Sequence, residues 1–304
     1  MEKQLWHELI EISGEENVRA DERMSSHTTF RIGGPADLFI IPRKVTEIAL
    51  LTEALRRYSM PYFILGNGSN LLVSDRGFRG AVIQIDRNLQ NIETEGTAIR
   101  AEAGALLSQL ALKAREASLT GLEFASGIPG TLGGACVMNA GAYGGEIGDV
   151  LKNVTILDEN GEVRTISAQE MLPGYRCSRI QLEPWIVLGA ELCLTPGDPA
   201  QIRARMDELR EKRTTKQPLE YPSAGSTFKR PEGHFAGALI DEAGLRGFRI
   251  GGAQVSEKHC GFVVNRGGAI AEDVLRLIRH VQNVVEQKSG IRLEPEIRML
   301  GFDD

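Results

Sequence analysis

The chain has 304 residues and sets 35 Lys and Arg against 41 Asp and Glu, a formal net charge of −6. A chain this long buries about 75% of its unfolded surface and folds as two domains or one large one without staples. The acidic balance is spread along the chain, which argues against a general nucleic-acid binder with its basic face. Glycine is the outlier: there are 34 where a share of about 7% is usual, and the run from Gly121 to Gly148 is densest in them.

In chain order, residues 2–13 read as a short amphipathic helix with Leu5, Leu9 and Ile12 on one side and Gly14 as its stop. Glu2, Lys3, Glu8 and Glu11 interrupt any apolar run, so the N-terminus does not read as a secretion signal. Asp37 to Pro42 reads as a strand. Thr46 is the expected cap of a helix whose apolar positions Ile48, Leu51, Leu55 and Tyr58 keep the 3.6 period. Pro61 closes it, and the strand Tyr62–Leu65 feeds the loop Gly66-Asn67-Gly68. Leu71–Val73 and Ala81–Ile85 read as strands and Leu106 to Ala117 as a helix. Phe124 to Gly145 carries no charge and is long enough to span a bilayer. Its glycines, with Pro129, Asn139, Ser126 and Thr131, argue against a helical span, so it reads as buried, irregular backbone.

Strands are expected at Val154–Leu157, Val163–Ile166 and Ile186–Leu194. Asp198-Pro199 then supplies a cap and a first-turn proline for a charged helix reaching about Thr214. The boundary falls here, giving domains 1–197 and 198–304. The second contains a strand at Phe262–Val264 and a helix from Glu272 to about Lys288, with Val274, Leu277/Ile278, Val281 and Val284/Val285 on one face and Gly290 at its end. The fold class is α+β, a glycine-rich first part followed by a smaller α/β part.

Gly66-Asn67-Gly68-Ser69-Asn70-Leu71 follows a strand, and its glycines let backbone N–H groups approach a pyrophosphate. It is not a dinucleotide fingerprint, because Leu71 stands where a third glycine belongs; by itself it reads as a tight strand–strand turn. Ser126 to Gly134, continuing through Met138-Asn139-Ala140-Gly141 to Glu146, implies backbone packed closely on something flat, either a planar cofactor or another element. Tyr175-Arg176, Ser223 to Pro231 and Leu293 to Arg298 hold a lone arginine, a serine turn and a carboxylate, none catalytic by spacing alone. Ser226 lies in no nucleophile elbow. Cys136, Cys177, Cys193 and Cys260 lack metal-ligand spacing and read as free thiols, with no metal expected. The five histidines are scattered, and His259 and His280 read as packing residues.

Together, in this order, the segments resemble the UDP-N-acetylenolpyruvoylglucosamine reductases of peptidoglycan synthesis, in their shorter subtype without the extra tyrosine-bearing loop. The resemblance runs from Thr28-Thr29-Phe30-Arg31-Ile32-Gly33-Gly34 through both glycine motifs, Gly174-Tyr175-Arg176, Lys216-Gln217-Pro218 and Gly252 to Asn265, ending at Leu293-Glu294-Pro295-Glu296. It implies an FAD-binding domain of the vanillyl-alcohol-oxidase type, made of two α+β subdomains, followed by a substrate domain. FAD would be held by Gly66, Asn67, Gly68, Ser69, Asn70 and Leu71 at its pyrophosphate, and by Ile128, Pro129, Gly130, Asn139, Ala140 and Gly141 elsewhere. The pyrophosphate loop has no histidine or cysteine, which points to non-covalent FAD. NADPH would be the co-substrate and a UDP-sugar the substrate.

The same resemblance gives Arg176 the substrate carboxylate, Glu296 the stabilisation of the charged intermediate, and Ser226 the final proton. Tyr175 would contact the UDP-sugar, Lys229 would assist Ser226, and the basic residues between Arg203 and Lys216 would meet a diphosphate. No nucleic acid, membrane insertion or obligatory protein partner is implied, and the location would be cytoplasmic. Side chains placed at Gly130 or Gly141 are expected to weaken flavin retention before unfolding the protein. Two alternatives stand beside this: a flavin-dependent sugar or alcohol oxidase on the same fold, and a non-catalytic nucleotide-binding module.

Overall fold

The computed structural model describes residues 3–302. Helix α1 (Lys3–Ser13) buries Leu5 and Leu9 and stops at Gly14, whose φ of 88° is open to glycine but costly for other residues. Glu2 of the expected helix lies outside the described residues. Helix α2 (Val45–Arg57) starts before Thr46, which therefore caps nothing, and Lys44 at the cap position makes no side-chain cap. The Glu47 carboxylate instead fixes the chain ahead of the cap, accepting the Arg43 backbone N–H at 2.7 Å and pairing with the Arg43 guanidinium. Leu5, Leu9, Leu51 and Leu55 join Leu38, Ile40, Ala81 and Ile83 in one core cluster.

The remaining helices are α3 (Leu107–Glu116), α4 (Leu132–Met138), α5 (Ala168–Met171), α6 (Pro199–Lys216), α7 (Ala236–Glu242) and α8 (Ala271–Ser289). The strand expected at 37–42 lies two residues earlier, at Pro35–Ile40, since a proline can open a strand without losing a ladder bond. Phe78–Gln84 replaces the expected 81–85 and pairs parallel with Tyr62–Leu65. The charge-free stretch is not simply buried irregular backbone. It holds α4 and the two-stranded hairpin Gly141–Ala142 with Gly145–Glu146, and Gly127, Pro129, Gly134, Tyr143 and Gly144 are exposed.

The chain divides into two compact units. The first comprises residues 1–20, 38–67 and 80–213, and the second 21–37, 68–79 and 214–304. This differs from a single division at 197/198. Within the first unit, an antiparallel sheet runs in the order Val163–Ser167, Leu151–Leu157, Ile186–Cys193, Ala98–Glu102, Ile92–Glu95. Val154, Ile156, Leu192 and Ile99 are buried in the same cluster as Leu107 and Leu110 of α3 and Leu132 and Cys136 of α4. Helix α6 buries only Ile202 and Leu209. It opens on Asp198, whose Oδ1 accepts the Ala200 N–H at 2.7 Å, and it is laced by Arg203–Asp207, Arg205–Glu208 and Lys212–Glu208 pairs.

In the second unit, an antiparallel sheet has the order Ser223–Ser226, Phe262–Asn265, Ala253–Val255, Arg249–Ile250. Helix α8 contributes Val274, Leu277, Ile278, Val281 and Val285 to this unit's core and ends at Gly290, with φ 72°. Its first N–H groups are capped from far along the chain: Asp75 Oδ1 and Oδ2 accept from Ala271 and Glu272 at 2.8 and 3.0 Å. Asp75→Ala leaves two donors without their acceptor and is expected to cost about 1–2 kcal/mol of stability, read as a lower urea midpoint.

Candidate active site

In the first unit the two glycine motifs meet. Gly66 follows the strand Tyr62–Leu65, and a Cβ there would stand 2.4 Å from Thr131 Oγ1. Asn67 Nδ2 donates to Pro129 O at 2.8 Å, tying the first loop to the segment Ile128–Gly130. Thr131 starts α4 by accepting the Gly134 N–H, while Leu107 N donates to Gly130 O at 3.0 Å. Asn139 ends α4 in the left-handed region, with φ 42°. It is fully buried, donating from Nδ2 to Gly174 O at 3.1 Å and accepting the Gly148 N–H on Oδ1 at 2.9 Å. An asparagine suits both demands, since it tolerates positive φ and offers a donor and an acceptor. Asn139 therefore joins three pieces of loop, and Ala140 continues into the hairpin.

Gly141 does not fit the expectation made for it. A Cβ there would lie 2.7 Å from Gly145 O and 2.8 Å from Glu146 Cβ, so a side chain strains the hairpin first. The carbonyl of Gly141 has its own role, accepting from Arg176 Nη2 at 2.9 Å. Arg176 sits in the left-handed region at φ 56°, inside a turn closed by mutual Gly174–Cys177 backbone bonds. Gln181 Nε2 donates to both Arg176 O and Val137 O, and Ser178 Oγ also donates to Val137 O. The arginine is thus held through its backbone and side chain against the end of α4, with its guanidinium 5.1 Å from the half-exposed Tyr175 ring.

In the second unit, the loop that begins at Gly68 reaches Leu71–Val73, which pairs parallel with Arg298–Leu300. The reading of Gly66–Leu71 as a strand–strand turn is therefore corrected: the strands on either side pair with other partners. Gly68 has φ 60°, and its carbonyl accepts the Thr29 N–H. The N–H groups of Gly68, Ser69 and Asn70 have no acceptor among the described residues. Successive undirected N–H groups around a left-handed glycine make a concavity for an anion, so the residues present fit the diphosphate of a dinucleotide. Asn70 is fixed by Nδ2 on Glu296 O at 3.2 Å and by Arg298 N on Asn70 O at 3.0 Å.

Ser226 ends its strand opposite Phe262, after a register shift at Gly225, whose φ is 74°. The next residue links two loops: Thr227 N donates to Gly261 O, Thr227 O accepts the Glu296 N–H, and Thr227 Oγ1 accepts the Val263 N–H. The structure therefore brings Ser226, Glu296 and Asn70 into one neighbourhood of the second unit, while Arg176, Tyr175 and Asn139 belong to the first. Lys229 is partnered by Glu294, through Nζ at 3.2 Å and through its backbone N–H. His259 presents an edge to Phe262 and accepts the Gly261 N–H on Nδ1 at 3.1 Å. Burial first, then the charges of Arg246 and Lys216, lower its pKa below the usual histidine value.

All four cysteines are free: Cys177 and Cys193 are exposed, Cys136 and Cys260 buried. Burial pushes the Cys136 thiol up to about 12. No group of three or more metal-binding side chains occurs among the described residues, and none of their helices is long and apolar enough to cross a membrane.

The glycine-built cradle within an α+β chain defines a flavoprotein: residues 36–167 match an FAD binding domain. Residues 217–300 match the C-terminal domain of UDP-N-acetylenolpyruvoylglucosamine reductase. The reductase of that name from Caldanaerobacter subterraneus subsp. tengcongensis is 53% identical over 96% of this chain and 97% of its own. Its counterpart from Agathobacter rectalis is 56% identical over 92% and 93%. The crystal structure of UDP-N-acetylenolpyruvylglucosamine reductase from Thermus caldophilus superposes with a TM-score of 0.81 at 37% identity, covering 93% of this chain and 99% of that one. The chain belongs to the UDP-N-acetylenolpyruvoylglucosamine reductase family, which favours the reductase over the oxidase alternative.

Proposed function

We infer that this protein reduces the enolpyruvyl C=C bond of UDP-N-acetylglucosamine-enolpyruvate to the lactyl ether of UDP-N-acetylmuramate, with NADPH as reductant, for peptidoglycan synthesis. The observation that carries it is the agreement of both domain matches with the Thr227 link between Ser226 and Glu296. FAD, held non-covalently, supplies the hydride relay when bound. Gly66, Asn67, Gly68, Ser69, Asn70 and Leu71 hold its diphosphate, and Ile128, Pro129, Gly130, Asn139, Ala140 and Gly141 shape the rest of the cradle.

Hydride arriving at the terminal carbon drives negative charge toward the substrate carboxylate. Arg176 pairs with that carboxylate; its anchoring on Gly141 O keeps the fork oriented before substrate arrives. Glu296 stabilises the same intermediate, its backbone fixed by Thr227 and Asn70. Ser226 gives its Oγ proton to the neighbouring carbon. A serine hydroxyl is a weak acid, so the transfer requires a strongly basic carbon and rapid reprotonation of the alkoxide. Tyr175 contacts the UDP-sugar, and Lys229 acts at one remove because Glu294 occupies its ammonium. The nucleotide substrates point to a cytoplasmic enzyme.

Anaerobic absorbance spectra test the reading. NADPH should bleach the flavin, and the enolpyruvyl sugar should restore its colour. Bleaching without restoration would remove the proposed substrate, and peroxide formed without NADPH would install the oxidase instead.

A further inference from the structure

His259 is a half-buried titratable side chain that the proposed reaction does not employ. Its ring is wedged among backbone: a Cβ at Gly261 would lie 3.0 Å from its Cε1, and one at Gly237 of α7 would lie 3.3 Å away. Phe262 meets the ring edge to face, with centroids 5.1 Å apart. Nδ1 accepts the Gly261 N–H at 3.1 Å, so the ring is neutral and its proton sits on Nε2. The surrounding loop closes on itself, with the His259 N–H on Ser256 Oγ and the Phe262 N–H on His259 O.

What the ring holds leads to the groups of the proposed chemistry. Gly261, fixed through its N–H, accepts the Thr227 N–H on its carbonyl at 2.8 Å. Thr227 in turn accepts the Glu296 N–H at 2.8 Å, and it follows Ser226, which is in register with Phe262. One imidazole nitrogen therefore heads a chain of backbone bonds that ends at both Ser226 and Glu296. A proton on Nδ1 would turn the acceptor into a donor facing the Gly261 N–H, and would place a charge in a half-buried pocket. Arg246 and Lys216, the charged groups acting on the ring, are both cations, and burial followed by their charges holds it below the usual histidine value. Arg246 is paired with Asp241 of α7, and burial pushes up the thiol of the adjoining Cys260. Within the loop itself, Glu257 lies against Gly247 and Lys258 pairs with Glu220.

We propose that His259 is a positioning residue for the protonation step. As the neutral imidazole it holds Gly261, and through Gly261 the Thr227 link between Ser226 and Glu296. The inference rests on the reductase reading above. An acceptor and a packing ring make opposite demands on this position. Phenylalanine keeps the ring and loses the acceptor, whereas asparagine gives up most of the ring and offers Oδ1 in place of Nδ1.

Full-length His259→Asn and His259→Phe, loaded with FAD, would be followed by anaerobic stopped-flow absorbance at neutral pH. Both should reduce flavin with NADPH at the wild-type rate, since that half-reaction uses neither Ser226 nor Glu296. Reoxidation by the enolpyruvyl sugar should slow by about tenfold or more in His259→Phe and stay within about threefold of wild type in His259→Asn. Any other ranking overturns the proposal, and the reverse one, phenylalanine tolerated and asparagine slow, would make the residue a packing ring. Should either variant melt early, wild-type protein carries the test alone. Its reoxidation rate should fall by about tenfold per pH unit as the NMR signal of the His259 ring titrates, while flavin reduction does not follow that titration. Reoxidation that holds its rate as the ring takes up its proton, or that falls before it does, overturns the proposal. Failure of the underlying reading looks different: wild-type flavin, once bleached by NADPH, would not be restored by the enolpyruvyl sugar at any pH.

Discussion

Ser226→Ala should reduce its flavin with NADPH at nearly the wild-type rate and then fail to pass the electrons on. Reoxidation by the enolpyruvyl sugar is expected to slow by about 10²–10⁴-fold, the range for losing a positioned general acid. The substitution is clean because the hydroxyl does not hold the fold. The backbone around it is fixed by pairing with Phe262, by the turn at Gly225, and by the three bonds of Thr227. Stopped-flow absorbance separates the half-reactions, and an unchanged melting temperature excludes unfolding. Reoxidation at the wild-type rate would take the proton-donor role away from Ser226.

Gly68→Ala should lose FAD, whereas Gly96→Ala should keep it. The two glycines share nearly the same backbone, φ 60° and 59°, so an alanine at either incurs the same left-handed strain of about 1–2 kcal/mol. Their surroundings differ. A Cβ at Gly68 would stand 2.1 Å from the backbone oxygen of His27 and 3.0 Å from Thr28 Cα, while Gly96 has nothing within 4 Å. Backbone cannot swing aside as a side chain can, so the loop itself must move. Moving it loses the Thr29 bond to Gly68 O and re-aims the N–H groups of Gly68, Ser69 and Asn70. The flavin-to-protein ratio after gel filtration reads the difference. Equal retention by both variants would remove this loop from cofactor binding.

Helices α3 and α8 were legible from their periodicity because each presents one apolar stripe to a core, and the terminal glycine of α8 marked its end. The strands Ile92–Glu95 and Ala98–Glu102 were not, because their residues are mostly polar and only Ile99 and Ala101 are buried. Thr46 misled because the helix begins one residue before it, at Val45, with Lys44 at the cap position and no side-chain cap. Glycine density pointed to the right segments but not to each glycine's reason: Gly66 makes room for Thr131, Gly141 for its own hairpin, Gly127 for Arg213. Ser226 and Glu296 were singled out through motif order alone. Their proximity depends on strand pairing and on the Thr227 bonds, which no local spacing encodes. The basic stretch from Arg203 to Lys216 stood out only as a whole; that Arg213 is half-buried against Gly127 leaves no periodic trace.

The second unit is assembled from widely separated stretches of chain. Its core combines Phe30, Ile32 and Leu72 with residues from Ala224 to Ile297, and Asn70 bonds to Glu296 across 226 positions. A polypeptide emerging from the ribosome at about 5–20 residues per second exposes its early apolar segments long before their partners exist. A fragment beginning at residue 214 would meet the converse problem, a core missing three of its buried side chains. Phe30, Ile32 and Leu72 therefore lack their core partners until the residues from Ala224 onward have been made, and long-range contacts of this kind slow folding. On the proposed role of Gly68 to Asn70, flavin capture would wait for those contacts, and the yellow colour of the holoprotein would report the completion of the whole chain.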